Sequence, residues 1–149
     1  MRVLPAHAAE EITVMKKVLI FGVFDGVHEG HRFLFAEARR HGDHLSVAVA
    51  HDAIVRILKN HSPKWSLAER IDALRAEPLV DEAFAGDVEL GTYEIIKKCS
   101  PDVIALGYDQ AELKKDLEAW QDTNRPDQNF GIIVIGSNRP EELHSSLMP

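Results

Sequence analysis

Lys17-Val18-Leu19-Ile20-Phe21-Gly22-Val23 runs without a break into Phe24-Asp25-Gly26-Val27-His28-Glu29-Gly30-His31, and this join decides the fold. The first part is a short apolar run bounded by turn residues, the pattern of a strand buried inside a sheet. A helical pattern follows from Gly30 to Arg40, with Leu34 and Ala38 spaced to share one face and His41-Gly42 as its stop. A helix start leaves backbone N–H groups unpaired and carries partial positive charge, so it is a ready anion site. His28 and His31 add donors that hold phosphate oxygens without the permanent charge of lysine. Gly30 lets an anion approach the backbone. The stretch from Gly22 to Gly30 therefore reads as a nucleotide-phosphate site. The plainer alternative is a pair of polar residues that only cap a helix. A zinc site would need further Cys, His or carboxylate ligands at metal spacing, and the sequence offers none.

Working outward, Leu45 to Ala50 is a second buried strand, and Asp52 to Lys59 is helical with Asp52 placed to cap it. Asn60 to Trp65 is a polar loop. Ser66-Leu67-Ala68-Glu69 is a capping box opening the helix that carries Arg70. Asp81 to Ala85, Asp102 to Leu106 and Phe130 to Ile135 read as strands. Thr92 to Cys99 and Ala111 to Trp120 read as helices, Gln121 to Asn129 as a polar loop, and the tail from Gly136 has no periodicity. Apolar strands alternating with helices predict an α/β Rossmann-like fold, a parallel sheet with helices on both faces. Right-handed crossovers gather the loops after the strands along one edge. Ligands then bind beyond the C-terminal strand ends, where strand order reverses. The expected order is 3-2-1-4-5, so the turn Phe24 to Gly30 and the turn Gly107 to Gln110 face one crevice.

At 149 residues with 45% hydrophobic content, the chain is expected to form a single domain over residues 15–149, with residues 1–14 as an N-terminal extension. Met1 and Met15 are both possible starts. The formal net charge of −7 speaks against a nucleic-acid partner, which is bound mainly through Lys and Arg on phosphates. Any nucleotide site must then be locally positive on a negative protein. A lone Cys99 cannot form an intramolecular disulfide, no run approaches a membrane span, and the first residues lack a signal-peptide core. A cytoplasmic setting with no membrane partner is the simplest expectation.

The stretch Gly22 to His31 resembles the signature of the cytidylyltransferase-like nucleotidyltransferases: a strand, a Phe-Asp turn and His-x-Gly-His at the first helix. Gly42-Asp43, Asp52, Lys59, Arg70 and Leu106-Gly107-Tyr108-Asp109-Gln110 are similar to the family pattern as well. The nearest likeness is to the short archaeal-type FAD synthases, with glycerol-3-phosphate cytidylyltransferase further off. The resemblance implies attack by an acceptor phosphate on the α-phosphorus of a nucleoside triphosphate, with Mg²⁺ carried mainly by the triphosphate. ATP with FMN is the leading substrate pair. CTP with a small polyol phosphate is the alternative, and a nucleotide-binding sensor without turnover is a reading of a different class. A homodimer is expected from the habit of relatives and the commonness of such pairs.

Within that resemblance, His28, His31 and Arg70 are the candidate catalytic residues. Gly22, Val23, Phe24, Asp25, Gly30, Gly107 and Asp109 are candidates for the nucleotide. Asp25 is expected to tie down its turn through backbone hydrogen bonds. Arg70 would otherwise be a solvated helix residue beside Glu69. Lys59 and Lys64 flank a loop able to close over the acceptor phosphate, though lysines there are commonly just solvated. Tyr108 is placed to offer its ring to the acceptor or a base. Relatives carry a Ser/Thr pair that opens a last helix. Here Ser145-Ser146 is similar, yet the sequence stops at Pro149, so the pair either donates hydroxyls to the phosphates or frays.

Overall fold

The computed structural model describes residues 15–136. The extension Met1–Val14, the choice of start, and Ser145-Ser146 lie outside the described residues.

The apolar runs become β1 (Lys17–Gly22), β2 (His44–Val49), β3 (Glu82–Ala85), β4 (Val103–Gly107) and β5 (Gly131–Ile135). Between them stand α1 (Glu29–Arg39), α2 (Asp52–Lys59), α3 (Leu67–Arg75), α4 (Glu94–Cys99) and α5 (Ala111–Asn124). The strands form one sheet in the order β3-β2-β1-β4-β5, and every pairing is parallel. The expected architecture and strand order are both present.

Strand geometry sends successive side chains to opposite faces, and β1 shows the result. Val18 and Ile20 pack with Phe35 and Ala38 of α1 and Leu74 of α3. Leu19 packs on the other face with Ile96 of α4 and Leu117 of α5. All three β1 residues are fully buried, which explains why their run is continuous rather than alternating.

Some boundaries move for identifiable reasons. Ser66 accepts from the Glu69 N–H at 3.1 Å and Glu69 returns to the Ser66 N–H at 2.9 Å, so α3 opens on the capping box its sequence announced. The helix α4 starts at Glu94, two residues after the expected Thr92, because Tyr93 adopts φ 51 in the left-handed region. The helix α5 runs past Trp120 to Asn124. Gln121 looked like loop but is buried, its amide donating to the Phe130 carbonyl at 2.8 Å and so tying α5 to β5. A polar residue with a satisfied amide does not disturb a helix that buries it.

The position of β1 beside β4 sets up the site. Chain order reverses between them: β2 and β3 lie to one side of β1, β4 and β5 to the other. The neighbours β1 and β2 stay in register over six pairs, Lys17–His44 to Gly22–Val49. With β4, β1 pairs only at Val18–Val103 and Leu19–Ile104. The C-terminal halves of β1 and β4 therefore diverge, and a crevice opens between the turns that follow them, as expected at a switch point in such sheets.

Candidate active site

Residues 28–31 close on themselves before they meet any ligand. His28 is the N-cap of α1 in extended conformation, and its Nδ1 accepts from the Gly30 N–H at 3.1 Å. His31 Nδ1 accepts from the His28 N–H at 3.3 Å. This is a capping box in which two imidazoles replace the usual hydroxyl and carboxylate. Backbone N–H groups only donate, so both Nδ1 atoms must be acceptors. In the neutral rings the proton then sits on Nε2, and each histidine presents an Nε2–H outward. The rings stack with centroids 3.9 Å apart. The cap uses Nδ1 of each ring and leaves the opposite Nε2 edge outside it.

Burial, then the neighbouring His28, pushes the His31 pKa from 6.5 down to about 4, against a smaller upward pull from Asp109. The ring is thus a neutral donor at pH 7. The cap itself calls for Gly30: a Cβ there would lie 3.0 Å from His28 Cε1 and press on the folded-back ring.

Phe24 holds the turn. Its φ is 51, a strained value for a residue with a Cβ. Its ring is buried, edge-on to His31 at 5.0 Å between centroids and tilted against Phe35 at 5.9 Å. Gly22 is needed because a Cβ there would come within 2.5 Å of the Phe24 ring. Phe24 therefore serves as a buttress for His31.

Two further side chains bind this turn to the α2–α3 connection. Asp25 accepts from the Lys64 N–H at 2.6 Å and the Trp65 N–H at 2.8 Å. Burial raises its pKa, but those two N–H groups, with the charges of Arg70 and Lys64, outweigh it and hold the carboxyl below its ordinary value. Arg70 is 1% exposed. Its Nε donates to the Trp65 carbonyl at 3.1 Å, Nη1 to the carbonyls of Val23 at 3.0 Å and Ala50 at 2.8 Å, and Nη2 to Asp52 Oδ1 at 2.6 Å. Four of its five N–H donors are spent inside the protein. Arg70 is a clamp joining the end of β1, the end of β2, the start of α2 and the loop before α3. Asp52 supplies that ion pair, while His51 occupies the N-cap of α2.

Across the crevice, Gly107 to Gln110 forms the second turn. A Cβ on Gly107 would meet Asp109 Oδ1 at 2.9 Å, so glycine allows Asp109 to fold back. Tyr108 is half exposed and Asp109 is exposed. The side chains of Lys59 and Lys64 are also in solvent, at the end of α2 and just before α3. Among the described residues no group of three His, Cys, Asp or Glu is placed to hold a metal ion. Nor is any helix among them long and apolar enough to cross a membrane.

Sequence reading missed the inward use of Arg70, the partnership of Asp52, and the bridging amide of Gln110, whose carbonyl partner Phe21 is 89 positions away. No local pattern announces such contacts. The one usable signal was Asp52 near a helix start, a position that equally suits a cap.

An open parallel sheet with a histidine-capped helix start at its switch point is the arrangement of a nucleotide-phosphate site. The cytidylyltransferase-like family profile matches residues 19–147, and the chain belongs to that family. It is 42% identical to the FAD synthase of Thermococcus onnurineus (strain NA1), over 68% of this chain and 70% of the relative. With the FAD synthase of Methanohalophilus mahii it shares 36% identity over 86% and 85% of the two chains. Among solved structures, the lipopolysaccharide core biosynthesis protein from Thermoplasma volcanium GSS1 superposes with a TM-score of 0.71 at 28% identity, covering 83% of this chain and 98% of that one.

Proposed function

We propose that this nucleotidyltransferase is an adenylyltransferase of the FAD synthase type, joining ATP and FMN into FAD with release of pyrophosphate. An oxygen of the FMN phosphate attacks the α-phosphorus of ATP. The bond from that phosphorus to the bridging oxygen breaks, and pyrophosphate departs with the electron pair. The acceptor is already anionic, so no strong base is required. Catalysis then rests on placing two anions in line and stabilising charge on the transferring group.

The observation that carries the phosphate part of this reading is the reciprocal cap of His28 and His31, which leaves the Nε2 edge of each ring outside the cap at the α1 start, while the likeness to FAD synthases supports ATP and FMN as the substrates. Neutral donors hold the α- and β-phosphates without forming so tight an ion pair that pyrophosphate is retained. The triphosphate enters as its Mg²⁺ complex, which supplies charge that the protein's own side chains do not. The family likeness extends the proposal to a homodimer, which sedimentation would report as twice the chain mass.

Phosphate-binding groups do not see the base, so the nucleotide is the part to test. Pyrophosphate release is measured with ATP or CTP, each against FMN and a small polyol phosphate. ATP with FMN is expected to give signal. Turnover confined to CTP with the polyol phosphate would replace the proposal by a cytidylyltransferase, and nucleotide binding without release would replace it by a sensor.

A further inference from the structure

The crevice between β1 and β4 needs something to set its width, because the ladder between them ends at Leu19–Ile104. Gln110 occupies the gap. Its Oε1 accepts from the Gly107 N–H at 2.8 Å, and its Nε2 donates to the Phe21 carbonyl at 3.1 Å. One planar amide thus joins the last residue of β4 to the penultimate residue of β1. Its backbone is held too, donating to the Gly107 carbonyl at 3.0 Å and accepting from Lys114 N–H at 3.0 Å as α5 begins. Although Gln110 is the N-cap of α5, its side chain makes no cap bond and is spent entirely on the bridge.

We infer that Gln110 is a positioning residue that fixes the separation of the two turns between which nucleotidyl transfer takes place. The inference rests on the adenylyltransferase reading. The Phe21 side of the bridge continues through Gly22 into the turn that carries His28 and His31. The Gly107 side continues into Tyr108 and Asp109. Phosphates held by one turn are presented to groups held by the other, so the bridge sets the in-line geometry. Only glutamine does this job at this length. Glutamate has the acceptor but, when ionised, no donor. Methionine keeps the shape and makes neither bond, and asparagine is one methylene short.

Misplacement of reacting groups by about 1 Å costs on the order of 100-fold in rate. When the bridge is cut, the first turn keeps its histidine cap and the second keeps the bond from the Gln110 N–H to the Gly107 carbonyl, so alignment suffers more than binding. The test compares wild type with Gln110→Met and Gln110→Glu in pyrophosphate release with ATP and FMN, alongside thermal melts. Both variants are expected to lose roughly 10- to 100-fold in kcat, with KM for ATP and for FMN within about 3-fold of wild type, at temperatures where the melt shows them folded. Unchanged kcat in the folded variants, or a lowered melting temperature with kcat per folded molecule intact, would overturn the inference and leave the function standing. Failure of both variants to fold would also overturn it, by making the amide a folding element. A wild type that releases no pyrophosphate would remove the adenylyltransferase reading and this inference with it.

Discussion

In the proposed mechanism His28 and His31 do two jobs, because an imidazole has two nitrogens on opposite edges. Nδ1 satisfies a helix-start N–H, and that bond fixes the tautomer that leaves Nε2–H free. Removing one such donor by His31→Ala is expected to cost about 10²–10³ in kcat, by analogy with loss of an oxyanion donor, and steady-state kinetics would read it. Gly30→Ala is a subtler test. The new methyl meets the His28 ring at 3.0 Å, so the ring shifts while the fold persists. A kcat loss on the order of 10-fold, with little change in thermal stability, is expected. The place of these residues at a helix start after a buried strand was legible in the sequence, since strand, Phe-Asp turn and paired histidines lie within one stretch. The buttress of Phe24 was not, because only the folded turn shows its ring lying between Gly22 and His31.

His31 also makes stability depend on pH, with a determined sign. Its folded pKa of about 4 lies below its ordinary 6.5. Between those values the unfolded chain binds a proton that the folded protein does not. Stability therefore falls as pH drops through that window, and this contribution levels off below about 4. Urea midpoints across the window should drop for wild type, and less steeply for His31→Gln. Equal slopes in the two proteins would contradict the assignment.

At the scale of elements, β1 and β2 end together, and Arg70 on α3 grips both ends. Replacing Arg70 by methionine leaves the carbonyls of Val23, Ala50 and Trp65 without their donor and Asp52 without its partner. Breaking a buried pair costs about 3–5 kcal/mol, and Asp52 is partly in solvent, so a loss on the order of 2–4 kcal/mol is expected in a denaturant melt. Lysine should not rescue it, because one ammonium cannot reproduce a planar fork that reaches four acceptors. If Arg70→Met kept wild-type stability and lost only nucleotide affinity, the guanidinium would be a phosphate ligand after all. The strands and the α3 cap were readable because apolar runs and capping boxes are local patterns. The clamp made by Arg70, expected from the sequence as a phosphate contact, was not readable because its partners come from positions 23, 50, 52 and 65, and only folding assembles them.

For the whole molecule, the open sheet follows from order reversal at β1 and from a β1–β4 ladder of only two register pairs. The alternation of strands and helices made the strand order predictable. The crevice's closure by Gln110 was not, since it joins segments at opposite ends of the chain. A net charge of −7 suits an anionic substrate that arrives with its own cation. In the proposed function this crevice transfers an adenylyl group from ATP to FMN. Its most direct test is continuous pyrophosphate release from the wild-type protein with Mg²⁺, ATP and FMN, with FAD measured in the same mixture. The expected result is one pyrophosphate for each FAD formed, with far slower release when CTP replaces ATP. Release with CTP alone, or bound nucleotide with neither product, would contradict it.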